Sequence, residues 1–165
     1  MENNPYRVIF QKLSDAGIRY LVVGGVAVNL HGYRRFTGDI DILLALDEKN
    51  LEKMTELMHG MGYVERLPIK LKSLSDEKQV EVWLGEKGMT AYTFQSGDQL
   101  RIGIDVLAGK SLKFDEYNDR SIKIDLEEGL KIPVVSMNDL LDMKKESGRP
   151  EDMVDVEKLL QLKFL

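Results

Sequence analysis

The run Asp39-Ile40-Asp41-Ile42-Leu43-Leu44 constrains this chain more than any other stretch, because acidic and branched apolar residues alternate along it. A period of two is the period of a β-strand, so Asp39 to Leu46 is expected to turn Ile40, Ile42 and Leu44 toward one side and both carboxylates toward the other. Two acids on one strand face read in two ways. They form a solvated strand edge, or they form a platform of hard oxygen ligands for a divalent cation such as Mg²⁺.

What precedes and follows this strand narrows the choice. Tyr6, Ile9, Phe10 and Leu13 fall at helical spacing, and Gly17 is placed to end that helix. Arg19 to Val23 reads as a short strand broken by Gly24-Gly25, after which Val26 to Leu30 resumes as a helix. Past the acidic strand, Asp47 is placed to cap a helix carrying Leu51, Met54, Leu57 and Met58, ended by Gly60 and Gly62. Tyr63-Val64, Val80 to Leu84, Ala91 to Phe94 and Leu100 to Leu107 read as further strands. Ile122 to Ile124 and Leu130 to Val135 flank Glu128-Gly129 as a hairpin or a short meander. Ser136 then opens a helix that Gly148 stops, and Pro150 starts a last amphipathic one. The expected fold is mixed, α+β (α/β), with helices flanking a mixed β-sheet and a helical pair at the C-terminal end.

The 165 residues favour one domain over two, and nothing within them resembles a linker or a repeat. Lys and Arg number 23 against 28 Asp and Glu, a net charge of −5, so no global basic field for wrapping nucleic acid exists. The absence of cysteine excludes disulfides, thiolate metal sites and cysteine nucleophiles, and is consistent with a reducing, cytoplasmic setting. No segment has the length and apolarity of a membrane span, and the polar start MENNPYRVIFQKL lacks the pattern of a secretory signal.

Three features carry candidate chemistry. The Gly24-Gly25 pair lets the backbone approach a ligand closely, and the helix after it directs free amides at a phosphate; the plainer reading is a tight turn requiring positive φ. Asp105 sits in the hydrophobic run Arg101-Ile102-Gly103-Ile104-Asp105-Val106, where an uncompensated carboxylate is costly. A metal shared with Asp39 and Asp41 would compensate it, and so would a salt bridge to arginine. Asp152 and Asp155 share one face of the last helix. His31 and His59 lack partners at ligand spacing and read as surface or cap residues. Trp83 and the Met54, Met58, Met61 run read as packing, and the Lys70, Lys72, Lys78 cluster, interrupted by Asp76 and Glu77, as a solvated loop.

The segment GGVAVNLHGYRRFTGDIDIL, with thirteen residues between Gly25 and Asp39, resembles the signature of the DNA polymerase beta nucleotidyltransferase superfamily. The tail PVVSMNDLLDMKKESGRPEDMVDVEKL is similar to that of small bacterial nucleotidyltransferases related to the toxin component of abortive-infection systems. The likeness spans about Tyr20 to Leu46 and Leu100 to Leu160; Gly62 to Gly97 matches no motif.

The resemblance implies a nucleotidyltransferase fold over residues 1–165 and a reaction in which an acceptor hydroxyl attacks a nucleoside triphosphate and releases pyrophosphate. It makes Asp39, Asp41 and Asp105 the ligands of Mg²⁺ or Mn²⁺, with Asp105 also the candidate base. Gly24 and Gly25 become triphosphate contacts, Arg35 a phosphate contact, and Thr37 a turn or metal-shell hydroxyl, while Arg34 faces solvent. Lys144 matches a lysine that would neutralise triphosphate charge, where composition alone reads a solvated side chain. Arg149, Asp152 and Asp155 match the tail pattern and are expected to form structural ion pairs that orient Lys144 or Arg35. The acceptor stays open between a protein hydroxyl, transfer RNA and a small molecule, as does a toxin or antitoxin partner protein. A non-catalytic binding module on the same fold is the alternative, and a metal-dependent nuclease leaves the glycine turn unexplained.

Overall fold

A computed structural model describes residues 4–87, 91–98, 102–109 and 112–165. Local chemistry accounts for most of its elements. Helix α1 (Pro5–Asp15) opens with the Asn4 side chain accepting from the Tyr6 amide and with Pro5 in the first turn, and Gly17 follows it at φ +68°. Strand β1 (Tyr20–Val23) is buried throughout and leads directly into α2 (Gly24–Leu30). Strand β2 (Asp39–Leu44) buries Ile40 and Ile42 and leaves Asp39 exposed and Asp41 half-buried, as the alternation requires. Asp47 caps α3 (Glu48–Gly60) by accepting from the Asn50 amide, and β3 (Tyr63–Glu65) follows Gly62 at φ +83°.

The sheet continues through β4 (Ala91–Ser96) and β5 (Gly103–Leu107), reached by a 3₁₀ turn at Leu71–Ser75 and helix α4 (Glu77–Lys87). The strand expected at Val80 to Leu84 is therefore helical. Asp76 accepts from the amides of Lys78 and Gln79, and the Val80 amide donates to the Asp76 carbonyl, so a helix starts where the sequence alternates. Its inward residues are Val80 and Trp83, three apart, while Val82 is exposed. Leu100 and Arg101, expected in the β5 strand, lie outside the described residues.

Helix α5 (Phe114–Asp119) was not anticipated; the hairpin of β6 (Ile122–Leu126) and β7 (Leu130–Val134) was. Ser136 caps α6 (Met137–Ser147) through the Asp139 amide, Gly148 ends it at φ +64°, and α7 (Pro150–Lys163) begins on Pro150.

Among the described residues seven strands form one mixed sheet in the order β3-β4-β5-β2-β1-β7-β6. Strands β1 and β2 are antiparallel, whereas β2 with β5 and β1 with β7 are parallel. The central strands β2, β5 and β1 thus carry the core, with Ile40, Ile42, Ile104, Val106 and Leu21 to Val23 all buried. The parallel pairing also places acidic residues far apart in sequence side by side. Helices α6 and α7 pack on each other, and α6 packs on α2. Among the described residues no helix is long and apolar enough to cross a membrane.

Candidate active site

Strand register builds the site. On β2, Asp41 stands opposite Val23 of β1 on one side and Asp105 of β5 on the other, and Asp105 stands opposite Thr93 of β4. Side chains at register positions share a face, so Asp39, Asp41 and Asp105 project from the same side of the sheet. The Thr93 hydroxyl donates to Asp105 Oδ1 at 2.7 Å, fixing that carboxylate. No arginine pairs with Asp105 among the interactions of the described residues; a hydroxyl and a neighbouring carboxyl occupy its surroundings instead.

Crowding at Asp41 is the strongest electrostatic feature of the face. Burial, then the charges of Asp105 and Asp39, push its carboxyl from 3.8 up to about 7; Lys144 opposes this, and a hydrogen bond with Asp105 adds to it. Asp41 therefore keeps its proton to a higher pH than an ordinary carboxyl does.

Gly24 explains how the backbone comes so close. At φ +64° it adopts a conformation that other residues resist, and a Cβ there would stand 2.1 Å from Asp41 Oδ2. Gly25 has a different neighbour, since its Cβ would meet Thr37 Oγ1 at 2.5 Å, so it admits the loop that leads into β2. That loop is tied down further by the Tyr6 hydroxyl, which donates to the Thr37 carbonyl at 2.9 Å.

A cavity of about 370 Å³ gathers Gly24, Thr37, Asp39, Asp41, Asp105, Lys144, Arg149 and Asp152 from five different segments. Lys144 is buried, contrary to a solvated lysine, and its ammonium contacts Asp152 and Asp155 at 3.0 Å each. Arg149 donates to Asp152 at 2.9 Å. Arg35 donates through Nε and Nη2 to both oxygens of Asp155, each at 2.7 Å. Three cations thus surround two buried acids, and Arg149 also lies 3.8 Å from the exposed Glu151. Burial raises the Asp152 carboxyl, but hydrogen bonds from Arg149, Ser147 and Lys144 outweigh it and bring the group down to about 2. Asp155 is lowered in the same way, by Arg35 and Lys144 against its burial.

Of the residues singled out in the sequence, Asp39, Asp41, Asp105, Gly24, Thr37, Lys144, Arg149 and Asp152 line this one cavity, whereas Gly25, Arg35 and Asp155 stand behind it. Arg35 in particular is engaged by Asp155 and by the Phe36 carbonyl. Thr93 was missed, because its only signal is a register position in a segment without a motif. His31 Nε2 lies 2.8 Å from the Val135 carbonyl, and His59 Nε2 lies 2.6 Å from Glu65, so both have ordinary partners.

Two larger hollows lie elsewhere, one of about 810 Å³ reaching from Leu43 to Glu116 and one of about 600 Å³ around Leu67 to Lys72. Neither contains the carboxylate row, so size does not locate the chemistry.

Among the described residues no three carboxylate, imidazole or thiol groups converge into a ready metal cage. The acids stand in a row, with Asp41 against Asp105 and Asp39 over Gly103, whose Cβ would meet Asp39 Oδ1 at 2.7 Å. The donor chemistry nonetheless fits a hard divalent cation: oxygen ligands only, and a concentration of like charge that one of them relieves by holding a proton.

The sequence profile of the DUF6036 family, described as nucleotidyltransferase of unknown function, matches residues 9–163. Among solved structures, the lincosamide antibiotic adenylyltransferase LnuA bound to lincomycin is similar over 98% of both chains, with a TM-score of 0.64 and 17% identity. A putative nucleotidyltransferase from Thermotoga maritima is similar over 94% of this chain and 90% of that one, with a TM-score of 0.57 and 16% identity. The enzyme ANT(2'')-Ia in complex with adenylyl-2''-tobramycin covers 92% of this chain and 82% of its own, at a TM-score of 0.56 and 12% identity. At these identities the likeness is one of fold. No curated protein sequence matches the chain.

Proposed function

This chain belongs to the DUF6036 nucleotidyltransferase family, and from that premise we propose that it transfers a nucleotidyl group from a nucleoside triphosphate to an acceptor hydroxyl. The observation that carries the reading is the row Asp39, Asp41 and Asp105 opening into the same cavity as Gly24 and the buried Lys144. An anionic row facing a cationic network suits a triphosphate held through metal at one end and directly at the other.

In the proposed reaction the acceptor oxygen forms a bond to the α-phosphorus, the bond from that phosphorus to the bridging oxygen breaks, and pyrophosphate leaves. Bound Mg²⁺ or Mn²⁺ would supply Lewis-acid polarisation of the phosphate oxygens and offset the charge that builds on the leaving group. Asp39, Asp41 and Asp105 are the residues that would hold it. Asp105, fixed by the Thr93 hydroxyl, takes the proton of the attacking hydroxyl. Gly24, bare of a side chain, lets the phosphates approach the strand end, while Lys144 and Arg149 face their negative charge. Asp152 and Asp155 keep Lys144 in place before substrate arrives, which lowers the entropy lost on binding, while Arg35 anchors Asp155 from behind the cavity.

We take residues 1–165 as a single catalytic domain, supported by one sheet and one continuous core. A cytoplasmic setting, with access to nucleoside triphosphates, goes with it. The antibiotic adenylyltransferases of like fold support a small-molecule acceptor as the first class to try, ahead of a protein hydroxyl or transfer RNA. A toxin–antitoxin or abortive-infection context rests on the tail from Val134 to Leu160 alone.

The test is binding of the four nucleoside triphosphates with Mg²⁺ or Mn²⁺, followed by pyrophosphate release in the presence of candidate acceptors. Metal-dependent binding by the wild type that is lost when Asp39→Ala and Asp41→Ala are combined supports transfer. A wild type that binds none of the four points instead to a non-catalytic partner-binding module.

A further inference from the structure

Phe36 is the most exposed large apolar side chain of the described residues outside the last two of the chain: 89% exposed, against 51% for Val64, the next. Exposed phenylalanines are ordinary at mobile chain ends, where nothing holds them. Phe36 is different, because everything around it is fastened. The Arg35 amide donates to Asn29 Oδ1, the Arg35 guanidinium grips Asp155, and its Nη1 donates to the Phe36 carbonyl at 2.8 Å. On the other side the Thr37 carbonyl accepts from Tyr6, and the Thr37 side chain fills the space that Gly25 leaves empty. With Arg35 and Thr37 both turned inward, the ring between them is presented outward on a braced loop. An aromatic ring held out in water on a braced loop gains nothing for the fold and offers a flat face to a ligand.

Its position says what that is. Thr37, Gly38 and Asp39, the next three residues, all line the carboxylate cavity, and Phe36 Cε1 stands 4.0 Å from where a Gly38 Cβ would be. Phe36 itself does not line the cavity; its ring stands just outside, next to the Gly38 backbone of the lip. A nucleotide whose phosphates sit at the carboxylates and whose base leaves the cavity along the Thr37–Asp39 edge would bring that base to this ring. We infer that Phe36 is the stacking platform for the nucleobase of the bound triphosphate, an inference that rests on the nucleotidyl-transfer reading above. Every base offers a flat face, so a phenyl platform binds purines more strongly than pyrimidines by stacking area and distinguishes poorly within each class.

The experiment measures Mg²⁺-dependent binding of ATP and of inorganic tripolyphosphate to the wild type, Phe36→Ala, Phe36→Leu and Phe36→Tyr, with no acceptor present. Tripolyphosphate keeps the phosphate contacts and lacks a base. Phe36→Ala is expected to weaken ATP about tenfold and leave tripolyphosphate within twofold; Phe36→Tyr retains ATP affinity, and Phe36→Leu, apolar without a ring, does not. ATP binding that is indifferent to Phe36→Ala overturns the inference, and so does an equal loss for both ligands. In either case the transfer reading survives, since the wild type still binds. If the wild type binds neither ligand, both readings fall together.

Discussion

Replacing Asp41 with asparagine is expected to stabilise the metal-free protein at neutral and alkaline pH while removing its capacity to hold a divalent cation. The carboxyl is wedged between β1 and β5, with the Gly24 backbone against it, and burial together with Asp105 and Asp39 pushes it from 3.8 up to about 7. The native state therefore holds this proton more tightly than the unfolded chain does. Stability from this group is greatest below pH 4, falls as pH rises toward 7, and stays low above it. A carboxyl moved that far corresponds to about 4 kcal/mol against its charged form at pH 8, which is a ceiling on the gain. Asparagine keeps the shape without the charge, but its amide must replace the hydrogen bond shared with Asp105. A net gain of about 1–2 kcal/mol, or about 3–6 °C in Tm for a chain of this length, is the expected result. Urea denaturation with a chelator at pH 5 and pH 8 measures it, and adding Mg²⁺ with a triphosphate should reverse the order by stabilising only the wild type. A variant no more stable than the wild type at pH 8, or equally stabilised at both pH values, would refute the argument from crowded charge.

Three further outcomes follow from the same geometry. Gly24→Ala puts a methyl 2.1 Å from Asp41 Oδ2 at a left-handed φ, so it should cost about 1–2 kcal/mol in denaturant melts and weaken metal-dependent triphosphate binding at least tenfold. Lys144→Met leaves Asp152 and Asp155 each short of one cation; an expected loss of about 3 kcal/mol at pH 7 should shrink as pH falls from about 4 through about 2, where the depressed Asp152 carboxyl protonates. Asn50→Ala should destabilise by about 2–3 kcal/mol without changing triphosphate affinity, because the buried Asn50 side-chain amide bonds backbone, at the amide and carbonyl of Arg19 and the carbonyl of Ala45, far along β1 and β2 from the acids. Thermal melts and isothermal titration on the same preparations separate the two effects.

Capping and periodicity were readable before any coordinates. Asp47 and Ser136 start helices, while Gly17, Gly62 and Gly148 follow helix ends in the left-handed region, because these effects act within one or two turns of chain. The alternation in Asp39 to Leu44 likewise placed both acids on one face. The same rule misread Val80 to Leu84: Val80, Val82 and Leu84 alternate as a strand would, but Val80 and Trp83 also repeat as a helix does, and the Asp76 cap decided between them. Short apolar runs carry both periods at once.

The sequence by itself thus determined which residues could act chemically, since a strand with two acids and a glycine pair leave few alternatives for their directions. The tertiary structure decided who stands next to whom. Parallel pairing of β2 with β5 set Asp105 beside Asp41, and the antiparallel β4 brought Thr93 to Asp105 from a segment with no motif. Closure of a 120-residue separation gave Arg35 to Asp155 rather than to the cavity, and buried Lys144 between two acids rather than in water. Local rules cannot specify such pairs, because the register of distant strands and the packing of the last two helices are settled only when the whole core closes and every buried charge must find its partner.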